Sequence, residues 1–529
     1  MGVLWYNGHI YTMESDGKKV EAVFTDRGKI IATGSLFDLE TTFRDHIQKK
    51  VNLAGGTMIP GLVDGHMHLL GYGESLIRLD LSKVKSKEEL LLAVRKKTME
   101  LKEGDWLIGE GWNENLWEVP ILPTLSELDE ASLGMPTVLK RVCRHAVLAN
   151  SKALQLAGIH KDTANPPGGV IERDHDGNAT GFIKDKAIDL LQRAMPSYSF
   201  SYLKNLALRA IQSCYTYGLT GSHTEDLNYY GSFLHTYEAL RQGVEELPYR
   251  THLLVHHGVV EEWKRLEKEG LPGNPYIQFG GMKIFADGSL GSRTALLSRP
   301  YGDDPSTNGV AIQTKKELSQ LVEKARSYRL PVAIHAIGDL AFEWVLEAIK
   351  ENPLPGKGRD RIIHAQILRK ELVREAKKLQ VVLDIQPRFL ISDFPWVLNR
   401  LGDFRPDYLY AWKSLLKEGI PCGGGSDAPI EPVDPLLGIH AAVTRKNVAD
   451  EYRKVYHPEE RLTMYEAVSL FTKGNAYASC NERIQGIIRP DFIADFTVFD
   501  RNIFEIDPDE LLETKVVMTV LDGKIVYER

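Results

Sequence analysis

Two histidines one residue apart, His66 and His68, close the stretch MIPGLVDGHMHL at Met58–Leu69. Side chains of an extended chain repeat every two residues, so both imidazoles face the same side. Two neutral imidazoles converging at a strand end supply half of a first-row metal site. The spacing alone is a weak signal, because two surface histidines after a buried strand look the same. Later positions give it weight. Lys283 lies inside the apolar run Gly280–Phe285, where a bare ammonium is costly. Such a lysine pairs with a carboxylate, loses its proton more readily, or becomes chemically modified. His335 closes the run Val332-Ala333-Ile334, and His364 closes Ile362-Ile363. Asp427 follows Gly423-Gly424-Gly425, which let the backbone carry its carboxylate in close. No Lys-Ser/Thr pair follows those glycines, so a phosphate cradle is not indicated.

The elements that must position these groups alternate. Compact apolar or Gly-rich runs fall at 58–63, 219–223, 249–256, 277–285, 331–335, 361–364, 381–385 and 421–425. Helical spacing separates them. Leu318, Leu321, Val322, Ala325 and Tyr328 share one face, as do Leu372, Val373, Ala376 and Leu379, and Leu206, Ala210, Ile211 and Cys214. Eight buried strands with helices between them predict an α/β fold, a (β/α)8 TIM-like barrel. Both histidine-closed runs then end at the carboxyl rim, where barrel active sites lie. No GxGxxG opens a helix after the first strand, so a dinucleotide fold is not supported. The link over 70–202 is far longer than an ordinary βα connection and reads as a folded insertion over the barrel mouth. It carries Trp106, Trp112 and Trp117, a turn at Pro166–Gly169 and a helix-like stretch at Lys87–Leu101. Its aromatics and polar neighbours, Trp112, Asn113 and His145 among them, are candidate substrate contacts; for each tryptophan taken singly, a place in the core of the insertion is the favoured reading.

Both chain ends read as short strands. Leu4–Thr12 is expected to break at an Asn7-Gly8 turn, and 22–34 to form a hairpin turning at Asp26–Gly28. Residues 493–500 and 516–527 repeat the texture, with Asp522-Gly523 as the turn. A small β-sandwich domain built from both termini, 1–57 together with 485–529, is expected beside a barrel domain over 58–484.

The 529 residues are too many for one ordinary core, which agrees with a large domain carrying additions. A net charge of −7 argues against a nucleic-acid or membrane-surface partner, leaving a small-molecule substrate. The start lacks a basic region followed by an apolar one, and position six is Tyr6, which does not support myristoylation. The four cysteines form no Cys-x-x-Cys pair and read as reduced, so a cytoplasmic location is expected. The sequence does not fix the assembly, although a homodimer is common for such chains.

The phrases PGLVDGHMH, MKIFADGSLGSRTA, VAIHAIGD and GSDAPI, with GEGWNENLW and HAVLANSKAL in the insertion, run across essentially the whole chain. With His66, His68, Lys283, His335, His364 and Asp427 they resemble the metal-dependent amidohydrolase superfamily, in the branch of N-substituted formamide deformylase and related uncharacterised amidohydrolases. The resemblance implies a binuclear centre of two divalent metal ions. His66, His68 and Asp427 would hold one ion, His335 and His364 the other, and a carboxylated Lys283 would bridge them. Imidazole and oxygen donors without thiolates favour zinc, with manganese, iron and nickel as alternatives. A plain Lys283 paired with Asp287 in a mononuclear site is the competing arrangement.

The implied reaction is hydrolysis of an amide-type carbon–nitrogen bond, N-substituted formamides included. A metal-activated hydroxide would attack, and Asp427 would carry its proton to the leaving nitrogen. Asp287 and Arg293 are candidate substrate contacts, with a salt-bridged loop anchor as the favoured reading. His223, His256 and His257, near other strand ends, read as pocket wall or core. A deaminase or an ester or lactone hydrolase on the same metals is the alternative. The His-x-x-Glu helper common in deaminases of this superfamily is absent, since Ala336-Ile337-Gly338 follows His335. A non-catalytic scaffold is the alternative of another class, and the six filled ligand positions argue against it.

Overall fold

Eight parallel strands follow one another in chain order: β1 (Leu62–Met67), β2 (Leu219–Thr224), β3 (Arg250–His256), β4 (Ile277–Phe285), β5 (Val332–Ala336), β6 (Arg361–His364), β7 (Val382–Ile385) and β8 (Cys422–Gly424). Hydrogen-bond ladders connect each to the next from β1 to β8, giving a nearly closed barrel. The computed structural model describes residues 2–101, 105–141, 146–166, 168–195, 198–447 and 454–529. They divide into two units, Glu74–Ser199 and the rest of the chain.

The strands are short and nearly all buried, and side chains such as Leu254, Ala333 and Ile363 pack together within the sheet. The helices bring their expected faces. Phe200–Thr216 buries Leu203, Leu206, Ala207, Ala210, Ile211 and Cys214. Lys315–Ser327 opens with a reciprocal cap between Thr314 and Glu317 and buries Leu318, Val322 and Ala325. Lys370–Leu379 buries Leu372, Val373 and Ala376.

The last strand meets the first through a side chain. The Asn475 amide donates to the Val63 carbonyl at 2.7 Å and to the Gly424 carbonyl at 2.8 Å. A Cβ added at Gly65 or at Gly423 would lie 2.3 Å from Asn475 Oδ1, so the seam admits only glycine at both places. The close approach at strand eight is thus a requirement of barrel closure. Asn475 follows directly on a wide helical turn, Leu470–Gly474, with π-type hydrogen bonding.

The first barrel strand begins later than its apolar run suggested. Thr57–Pro60 pairs antiparallel with Phe496–Phe499 in another sheet, and only from Leu62 does the chain join the barrel. That other sheet has eight strands drawn from both chain ends. Its main path runs Lys524–Glu528, Val516–Leu521, Phe496–Phe499, Thr57–Pro60, Val3–Tyr11, Lys19–Asp26 and Lys29–Gly34, with Lys49–Asn52 beside Val3–Tyr11. Trp5, Val23, Phe496, Val498 and Val520 share its core, with Trp5 edge-on to Phe496. Asn7-Gly8 is a bulge inside one nine-residue strand, with Asn7 at φ 59°, rather than a turn. The turns at Arg27-Gly28 and Asp522-Gly523 are as expected, all four residues at positive φ.

The unit Glu74–Ser199 holds a six-stranded sheet and its own core, in which Trp112 and Trp117 are buried. Among the described residues no helix is long and apolar enough to cross a membrane.

Candidate metal centre

The parallel barrel sets every carboxyl strand end on one rim, and the residues singled out by type converge there. His66 belongs to β1, Lys283 to β4, His335 to β5, and His364 ends β6; Asp427 follows β8 by three residues. His66, His68 and Asp427 present ligand atoms all within 4.8 Å of one another. Asp427 Oδ1 lies 3.5 Å from His66 Nε2 and 3.6 Å from His68 Nε2. Lys283 Nζ lies 3.4 Å from His66 Nε2. The rings of His335 and His364 are 4.4 Å apart, and His364 is 5.8 Å from His66. Four imidazoles, one carboxylate and one amine meet in a single cluster.

Three of the four rings are held so that one nitrogen is left for the centre. A carbonyl oxygen can only accept, so His68 Nδ1 donates to the Glu225 carbonyl at 2.8 Å and Nε2 keeps its lone pair. His335 donates through Nε2 to the Gly288 carbonyl at 3.0 Å, which frees Nδ1. His364 donates through Nδ1 to Gln386 Oε1 at 2.8 Å, while Gln386 Nε2 is fixed on the Asp384 carbonyl. Asp64 accepts the His66 amide and both the amide and hydroxyl of Ser426, joining β1 to the loop after β8. The Asp427 amide returns to the His66 carbonyl at 2.7 Å. His364 and Asp427 hold φ of 77° and 60°, a region non-glycine residues enter at a cost of about 1–3 kcal/mol each. Such strain persists only where the surroundings fix it.

Burial sets the charges. It drives the His66 and His364 imidazoles well below their ordinary pKa, His335 down to about 3 and His68 to about 4. All four are therefore neutral near pH 7. Burial also lowers Lys283 and raises Asp427 to about 7. Neutral imidazoles with converging lone pairs, in a dry site beside a carboxylate, are the donor set a divalent cation takes.

Among the described residues, the other candidate contacts each have local partners. Trp112 is fully buried in the core of Glu74–Ser199, its indole N–H on the Leu139 carbonyl, so it offers no surface to a substrate. Asn113 is occupied locally, its Oδ1 accepting the Asn115 amide and the Arg141 guanidinium. His145 lies outside the described residues. Asp287 is fully buried and anchors a loop, but not through Arg293. It accepts the backbone amides of Leu296, Ile337 and Gly338, and its Oδ1 is 3.5 Å from His335 Nε2. Lys283 is not among those partners. Arg293 instead holds Asp303 with two hydrogen bonds, and Arg400 joins the same carboxylate. His223 is buried against Arg361, its ring 4.7 Å from that of His252 and tilted to it.

Several supporting groups escaped the sequence reading. Glu225, just beyond β2, is fully buried with its carboxyl pushed up to about 7 by burial. Arg361 on β6 pairs with Asp384 on β7 and donates to the Gly65 carbonyl. The signal for Glu225 and Asp384 was that of His335, a polar residue beside or within an apolar strand run. Nothing in the sequence marks Gln386 or Asn475, whose roles depend on what the fold sets opposite them.

The amidohydrolase family model described as Amidohydro_3 matches residues 49–527. YtcJ of Bacillus subtilis is 48% identical over the whole of both chains. The N-substituted formamide deformylase of Arthrobacter pascens is 25% identical, over 99% of this chain and 98% of that one. An uncharacterized metal-dependent hydrolase from Pyrococcus horikoshii superposes with a TM-score of 0.80 at 31% identity, over 96% of this chain and 99% of that one. Near-closed barrel, rim cluster and whole-length similarity agree, and this chain belongs to the amidohydrolase family as a hydrolase.

Proposed function

We propose that the protein is a metal-dependent hydrolase that cleaves an amide-type carbon–nitrogen bond in a small molecule, with N-substituted formamides as the first substrates to try. The observation that carries this reading is the meeting of four neutral imidazoles, Asp427 and Lys283 on one barrel rim. His66, His68 and Asp427 would hold one divalent ion, and His335 and His364 a second. Burial lowers the Lys283 pKa, which favours the free amine that carbon dioxide would require to form a carbamate there. Zinc suits this thiolate-free donor set. Bound metal supplies acidified water near neutral pH and polarises a carbonyl.

The chain's own groups handle the proton. Asp427 takes it from the attacking water and delivers it to the leaving nitrogen, and its elevated pKa suits both halves of that transfer. The Glu225, Gly288 and Gln386 partners keep three imidazoles in the tautomers that leave a lone pair inward. The relative named as an N-substituted formamide deformylase supports the bond class.

The test is metal-loaded protein assayed on N-substituted formamides beside Asp427→Asn. The variant is expected to keep most of its metal and to lose about 10²–10⁴ in kcat, the usual weight of general acid–base catalysis. Near-wild-type turnover would remove Asp427 from its role.

A further inference from the structure

Glu225 stands one residue beyond the carboxyl end of β2 and is fully buried. Its carbonyl accepts His68 Nδ1, so its backbone is tied to the centre. Of its carboxylate oxygens, Oε2 accepts the Tyr229 phenol at 2.6 Å. The other, Oε1, is buried with no hydrogen-bond partner among the described residues. Tyr229 stands on the same rim, its ring 6.1 Å from His68 and 6.3 Å from His256.

A carboxylate withdrawn from water needs a charge partner or further donors. Lys283, on β4 of the same barrel, is a candidate, and Glu225 acts on it electrostatically. Yet Lys283 makes its recorded hydrogen bond with His66 Nε2, and no ion pair joins it to Glu225. If Lys283 becomes a carbamate, it turns from a cation into a second anion beside Glu225. A divalent metal ion would balance both.

We propose that Glu225 is a further oxygen ligand of the metal centre, oriented by the Tyr229 hydroxyl. This rests on the metal-dependent reading above and adds a donor to the six residues named there. A second carboxylate among imidazoles shifts preference toward ions that favour oxygen, manganese above all. Tyr229, by fixing Oε2, leaves Oε1 as the ligating atom.

Wild type, Glu225→Gln and Tyr229→Phe would each be loaded with Mn²⁺ and dialysed against graded chelator, with bound metal counted by mass spectrometry and its electron paramagnetic resonance spectrum recorded. Glu225→Gln is expected to lower affinity for at least one ion by about tenfold or more and to change the spectrum. Tyr229→Phe is expected to cause a smaller loss of the same sign. Unchanged affinity and spectrum in Glu225→Gln would overturn the proposal. Should Glu225→Gln fail to fold, as circular dichroism would show, a wild-type spectrum and affinity in Tyr229→Phe would overturn it instead. Wild type that binds no Mn²⁺ or Zn²⁺ at all would fail the underlying reading, an outcome distinct from either.

Discussion

Single residues in this chain divide into those that face the centre and those that hold the frame, and their types alone do not tell them apart. Asp287 sits four residues past Lys283 but spends its carboxylate on three buried backbone amides. Asp287→Ala should therefore cost roughly 3 kcal/mol or more of stability in urea unfolding, and Asp287→Asn less, since one acceptor oxygen remains. An Asp287→Ala variant as stable as wild type would show that those amides find other acceptors. Glu127 gives a case with a pH signature. Its carboxyl is held down to about 2 by Lys87 and by the Thr124 amide and hydroxyl. A carboxyl whose folded pKa is depressed adds stability that is full above its unfolded value of 4.5 and fades as pH falls toward 2. Melting of wild type should thus exceed that of Glu127→Gln at pH 6, with the gap narrowing by pH 3; a constant gap contradicts the assignment. The sequence made the metal-type residues legible because histidine and lysine at the ends of apolar strands stand out. It left Trp112 open, because a tryptophan with polar neighbours looks alike whether it lines a pocket or fills a core, and the packing of Glu74–Ser199 puts it in the core.

Strands and helices were legible wherever their periodicity was long. All eight barrel strands fall where compact apolar runs lie, and the helices expected around 203–217 and 316–329 lie at Phe200–Thr216 and Lys315–Ser327. The error at the first strand has a physical cause. Met58–Val63 is one apolar run, but successive pieces of it pair with different sheets, and no local preference encodes that change of partner. The barrel was expected, but the side chain at its seam was hidden, because Asn475 lies more than 400 residues away from Val63. Asn475→Ala leaves two buried carbonyls without donors, at about 1–3 kcal/mol each. Its effect should reach the centre, since His66 lies on one side of the seam and Asp427 beyond the other. The expected result is a lower melting temperature together with weaker metal retention. A stable variant with full metal content would show that the seam holds without this side chain.

Across the whole molecule, both chain ends contribute to one sheet, and that sheet runs directly into the barrel. Thr57–Pro60 is clamped by Phe496–Phe499 two residues before β1 begins. Arg250, the first residue of β3, binds both Asp495 and Asp522 of the terminal sheet. Removing residues 493–529 should therefore strip the partner from Thr57–Pro60, expose the core around Trp5 and yield insoluble protein; a soluble, cooperatively melting truncation would mean the barrel stands alone. The central claim is narrower, that the rim cluster exists to hold divalent metal. Anomalous diffraction from crystals of the protein, recorded on both sides of the zinc edge after loading, tests it directly. The predicted result is an edge-dependent peak at bonding distance from His66, His68 and Asp427, with a second beside His335 and His364. Fully occupied side chains with no such peak between them would contradict the account.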